Sequence, residues 1–284
     1  MIKIYSTLLF FLVAFNTQAS FLPINKMEIP SINKENDNRL RETYQPIVNE
    51  LLNLYESTVL SQNAKLIFQF DFSSQTVNAF AKRSGNNNEL WHITFLGGLM
   101  RHPNLTRNIF AAVLCHELGH HLGGLPKKNP NHWASVEGQS DYFAANECLK
   151  KMLNDGTTLS PSINNIKPVI KKNCQLNFKA PSEYKQCLRS AVISEEIGYF
   201  IHKMKQSRRG QRGKKPSIES RDNAVASRTL IQHPNAQCRL DTFFEGSLCS
   251  DYYRSNGKQN PNCLDSDLLY EGSRPKCWYS PLKE

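Results

Sequence analysis

The 284-residue sequence has no Cys-x-x-Cys pair, no internal repeat and only one long apolar run. Without Cys-x-x-Cys, neither a zinc ribbon nor a thioredoxin-type redox site is expected. The apolar run lies at the extreme N-terminus, so a polytopic membrane protein is excluded. Acidic residues are the minority charge: 25 Asp and Glu face 35 Lys and Arg, a formal net charge of +10 with pI near 9.2. Disorder is excluded too, because 39% of residues are hydrophobic, enough to build a core. What remains is a mildly basic globular chain, long enough for one large domain or two small ones.

Residues 1–19 read as a secretory signal peptide. Lys3 supplies the positive start, Ile4 to Phe15 the short apolar stretch, and Thr17-Gln18-Ala19 the small residues before a cleavage at Ser20. The alternative is an uncleaved anchor, but about 12 apolar residues are short against the ~20 a bilayer span needs. No Cys follows the cleavage point, which leaves nothing to lipidate. The protein is therefore expected to be exported, either periplasmic or secreted. All eight cysteines (115, 148, 174, 187, 238, 249, 263 and 277) lie in the exported part and read as disulfides. Local closures, Cys238 with Cys249 and Cys263 with Cys277, are expected. Cys115 and Cys148 can join two helices, or Cys115 can be a buried free thiol.

The chain divides into the signal (1–19), a lead-in and helix (20–65), a main domain (66–249) and a Cys-containing tail (250–284). Residues 20–38 are polar and read as an extended lead-in. Tyr44, Ile47, Val48, Leu51, Leu52, Tyr55 and Val59 recur at helical spacing. Strands are expected over residues 66–72, 77–82 and 90–95. Asn104 or Thr106 can cap an amphipathic helix that stops near Gly123-Gly124, and a further helix should span Ser135 to Leu153. The fold class is α+β. Residues 203–222 are rich in Lys and Arg and read as a mobile surface loop inside the domain, in preference to a nucleic-acid arm.

Chemistry concentrates in His116-Glu117-Leu118-Gly119-His120. Residues i and i+4 share a helix face, so both imidazoles can address one metal ion, with the Glu117 carboxylate beside the open position. Two His and a carboxylate around a free fourth position is the catalytic zinc arrangement. For the third ligand, Pro126 stands where a HExxHxxGxxH pattern needs its last His, and His132 lies in a Pro/Asn-rich turn. Glu137 is the better candidate. Asp141, four residues on, can accept the free ring N–H of a ligating His and fix its tautomer.

HExxH followed by ExxxD is the gluzincin pattern, and further segments resemble the HtpX-type and CAAX prenyl endopeptidase-type zinc metallopeptidases. Asn78-Ala79-Phe80-Ala81 is similar to that family's segment before the active-site edge strand. Trp91 to Leu99 looks like its strand ending in a Gly-Leu turn, and His233-Pro234 with Arg239 looks like its His-Pro…Arg segment. The resemblance spans about residues 75–150 and 225–245. It implies a zincin-type domain, mainly helical with a small sheet, holding one Zn²⁺ on His116, His120 and Glu137. Glu117 would be the general base, His233 an oxyanion donor, Arg239 a support behind the ligands, and Asn78 and Ala79 substrate contacts. The family's best-known members are integral membrane proteins, so this chain looks closer to the soluble exported ones.

The expected activity is metal-dependent hydrolysis of peptide bonds in unfolded or damaged envelope proteins. The Trp91–Phe95 strand is expected at the cleft edge, pairing with extended substrate. A non-catalytic zinc-holding or chaperone-like envelope protein is the alternative. Electrostatic attachment to anionic envelope surfaces through residues 203–222 is compatible with either. The expected partner is a protein or peptide substrate; no nucleic acid is expected.

Overall fold

Helix α1 (Lys34–Leu60) begins where the Asn33 side chain accepts from the Asn36 N–H, with Glu35 and Asp37 in the favourable first turn. One face, from Tyr44 through Ile47, Leu51 and Tyr55 to Val59, is buried. The helix therefore starts inside the stretch expected to be an extended lead-in. The computed structural model of the protein describes residues 18–156, 158–206, 214–249, 263 and 272–280. The signal-peptide reading falls almost wholly on residues outside that set.

Three strands follow: β2 (Lys65–Asp71), β3 (Ala79–Ser84) and β4 (Leu90–Leu96). A two-residue strand, β1 (Ala19–Ser20), completes a mixed sheet in the order β1-β3-β4-β2. β3 is antiparallel to both neighbours, and β2 runs parallel to β4. This corrects the expectation for Trp91–Phe95. β4 is interior, hydrogen-bonded on both sides, and the outer side of β3 is paired with Ala19 and Ser20. A buried strand suits the sequence of β4, where Trp91, Ile93, Thr94 and Phe95 are all buried.

After the short helix α2 (Gly97–Met100), α3 (Arg107–Leu122) starts at Thr106, whose hydroxyl accepts from the Ile109 N–H. Its residues from Ile109 to His121 are buried on every side, so α3 is a central helix and not the amphipathic one expected. Elements on several sides exclude water from it: β3, α4 (Glu137–Phe143) and α7 (Pro181–Gln206). The expected helix over Ser135 to Leu153 is divided into α4, a π-helical turn (Ala144–Cys148) and α5 (Leu149–Asp155). Two glycines permit the close approaches around α4. A Cβ on Gly119 would stand 2.8 Å from the Ser140 carbonyl oxygen, and one on Gly138 would stand within Trp278.

Helices α6 (Pro168–Asn177) and α8 (Ala236–Leu248) complete the described fold, with α8 packed on α4 and α7. Of residues 203–222, the first four end α7, residues 207–213 lie outside the described set, and Ile218 is buried. Among the described residues no helix is long and apolar enough to cross a membrane.

Four disulfides join Cys115–Cys148, Cys174–Cys187, Cys238–Cys277 and Cys249–Cys263, leaving no free cysteine. The first links α3 to the end of the π-helical turn, as one reading of the sequence had it. The two C-terminal closures are not the expected ones. Cys238 and Cys249 stand at opposite ends of α8, and 11 residues rising about 1.5 Å each separate them by roughly 16 Å. Disulfide-bonded Cα atoms here are 5.6–5.9 Å apart, so that helix forbids the local pairing.

Candidate metal centre

Helix α3 projects His116 and His120 from one face, and the start of α4 brings Glu137 across from them. One ligand atom from each of the three lies within 4.8 Å of the others, and all three side chains are buried. His116 Nε2 and His120 Nε2 stand 3.4 and 3.5 Å from Glu137 Oε2. Among the described residues none of these three atoms has a hydrogen-bond partner. Buried acceptors and donors are seldom left so, and three converging on one point fit a cation. The group can hold a metal ion. A second cluster, Asp222 with Cys238 and Cys277, cannot act likewise because its two sulfurs are bonded to each other.

The rings are oriented from behind. His116 Nδ1 donates to Asp141 Oδ1 at 2.7 Å, and His120 Nδ1 donates to the Ser135 carbonyl at 2.9 Å. The Ser140 hydroxyl lies 2.9 Å from the same His120 nitrogen. With Nδ1 carrying the proton, each Nε2 presents a lone pair to the shared point. Asp141 also accepts two bonds of 2.7 Å from Arg239, a fully buried bidentate pair. Burial opposes charge on Asp141, but Arg239 and His116 prevail and hold its carboxyl below the usual range. Lys128 Nζ sits 3.0 Å from Glu137 Oε1, which leaves Oε2 for the metal point.

The two ligand histidines differ in charge preference without a metal. Burial pushes His120 down to about 4, whereas Asp141 outweighs burial at His116 and lifts it to about 9. Glu117 is buried with neither carboxylate oxygen partnered, and burial raises it to about 8. A carboxylate poised near neutrality beside a metal position can take up and release a proton.

The remaining candidates converge on residues 20–22, a contact no sequence pattern announced. His233 Nε2 donates to the Ser20 carbonyl at 2.7 Å and lies 3.2 Å from Glu137 Oε2. Arg239 Nη1 donates to the Phe21 carbonyl at 2.7 Å. The Phe21 N–H donates to the Ala79 carbonyl at 3.0 Å. The Asn78 side chain clamps Leu22, accepting from its N–H and donating to its carbonyl, both at 3.0 Å. Phe21 is wholly buried, edge-on to the His116 ring. Asn78, Ala79, His233 and Arg239 thus grip an extended backbone, and that backbone is the chain's own.

Sequence reasoning passed over Ser135, Ser140 and Lys128, which orient or neutralise the ligands. Ser140 was within reach, lying beside Asp141 in the ExxxD segment; Ser135 acts through its carbonyl, which has no sequence signature. His132 is not at the centre: its Nδ1 accepts from the Ala134 N–H and its ring stacks on Trp133. No protein-family model matches the chain, and no match to it was found among curated proteins or solved structures. The functional reading rests on the atoms of the site.

Proposed function

We propose that this protein is an exported zinc endopeptidase with a gluzincin arrangement, cutting extended segments of unfolded or damaged envelope proteins. The observation that carries this reading is the conjunction of three unpartnered ligand atoms with the unpartnered, buried Glu117 carboxylate. Two imidazoles and one carboxylate suit zinc, which when bound supplies a Lewis acid and lowers the pKa of a bound water to about 7. Glu117 takes the proton of the attacking water on its carboxylate and delivers it to the leaving amine. His233, whose Nε2–H already meets a backbone carbonyl, is the donor for the developing oxyanion. Asp141 keeps the proton on His116 Nδ1, and Arg239 keeps Asp141 ionised. The outer side of β3 is where an extended peptide would pair by backbone hydrogen bonds, a mode that reads main chain more than side chain. Disulfides agree with an oxidising, exported setting.

A second reading, a zinc-holding binding protein, is favoured by one observation: residues 19–22 already fill that lane with Phe21 buried. Hydrolysis of casein by the oxidised, zinc-loaded protein beside its Glu117→Gln variant separates the two. The peptidase reading expects turnover by the wild type and at least about a hundredfold less by a variant of equal zinc content. Equal turnover by both would sink the mechanism. Zinc in both with turnover in neither favours the binding protein.

A further inference from the structure

His121, next in the chain to the ligand His120, faces a different cavity. Its Nδ1 accepts from Arg83 Nε at 3.3 Å, and its carbonyl accepts from Arg83 Nη2 at 3.1 Å. The ring is sandwiched between Trp91 and Trp133, with centroids 5.1 and 4.9 Å away. Arg83 lies over the Trp91 ring at 4.0 Å and 5.2 Å from that of Trp133. Lys127 Nζ donates to the Trp133 carbonyl at 2.9 Å. These side chains, with the amides of Asn87 and Asn88, line an open-sided cavity of about 770 Å³.

Among the described residues neither cation has an acidic partner. Burial lowers Arg83 to about 10, and burial together with the Arg83 charge lowers Lys127 to about 8. Two half-buried like charges without a counter-ion are costly, and an anion between them removes the cost. Glu89, the acidic residue in the lining, turns away: it accepts from the Asn87 N–H at 2.8 Å and pairs with neither cation. Arg83 gives one N–H from Nε and one from Nη2 to His121, so the outer N–H groups of Nη1 and Nη2 are what it offers the cavity. The Trp133 indole N–H, on the same wall, is buried without a partner.

We propose that Arg83 and Lys127 form an anion pocket that takes the carboxylate of a larger polar ligand, such as an acidic peptide side chain. The carboxylate oxygens are shared between the remaining Nη hydrogens of Arg83 and Lys127 Nζ. The cavity falls within the range of organic-ligand sites and exceeds the tens of Å³ a lone ion fills. Asn87 and Asn88, also in the lining, supply further polar groups. This pocket uses neither the metal point nor Glu117, so it stands or falls apart from the peptidase reading.

Indole fluorescence of the oxidised protein reads it directly, since Trp91 and Trp133 form its walls while Trp278 is buried against Gly138. The probes are acetyl-Gly-Glu-Gly-amide, its Gln counterpart and inorganic phosphate, titrated at low and at high salt. The Glu peptide should bind about tenfold more tightly than the Gln peptide at low salt. That preference should largely vanish in Arg83→Gln and in Lys127→Gln, each checked for retained metal and helical content. Equal binding of the two peptides by the wild type overturns the pocket, as does a preference that survives in well-folded Lys127→Gln. Phosphate bound as tightly as the Glu peptide overturns the larger ligand and leaves a small-anion site.

Discussion

Successive residues of one helix, His120 and His121, open onto opposite electrostatic worlds. On the His120 side, the carboxyl groups of Glu117, Glu137 and Asp141 are buried, with Lys128 beside Glu137 and Arg239 beside Asp141. On the His121 side, Arg83 and Lys127 line a cavity and, among the described residues, pair with no carboxylate. Adjacent helix positions differ by about 100° in direction, enough to place neighbours in separate environments. The same residue type therefore belongs to a group that can hold a metal in one place and is a neutral stacking partner in the other. The field decides which: burial alone keeps both rings uncharged, and the nearby charges determine what each side lacks.

The sharpest way to test this contrast is to truncate each histidine. His120→Ala should lose stoichiometric metal, whereas His121→Gln should keep it, as read by metal analysis after dialysis. Equal retention or equal loss would erase the distinction. Next in size, Arg239→Met leaves Asp141 buried with only His116 to face it and should cost about 3–5 kcal/mol in urea unfolding. Lys127→Gln, on the other side, should cost less than about 1 kcal/mol at neutral pH, because that cation has no ion pair to lose.

The last effect is a slope in pH. Unfolded Lys127 keeps its proton up to about 10.5, while the folded side chain yields it near 8. Between those values the unfolded state binds more protons, so this lysine favours folding increasingly as pH rises from about 8 towards 10. Wild-type stability should climb relative to Lys127→Gln over that interval, followed by urea midpoints. Parallel curves for the two proteins would mean that Lys127 is not desolvated.

Much of the centre was legible because its logic is local. His116 and His120 share a face by helical spacing, Thr106 caps where a hydroxyl should, and Glu137 with Asp141 repeats the i, i+4 relation. The strand positions were readable from alternation, shifted by a residue or two. The position of β4 was not: buried apolar residues mark a strand without saying which neighbours it pairs with. The C-terminal disulfides misled for a related reason, since nearness in sequence is not nearness in space once a helix holds two cysteines apart.

By itself the sequence determined the helix that carries His116 and His120, the grouping of those two with Glu137, and the even set of cysteines. Each depends on spacing within a few residues, where helix geometry converts a number directly into a direction. Only the tertiary structure decided that Arg239 braces Asp141 from α8, that residues 19–22 fill the edge of β3, and that Arg83 and Lys127 line one cavity with two indoles. Those meetings join segments tens of residues apart. What brings them together is burial of a common core, and the order of residues along the chain does not encode such meetings as a readable period.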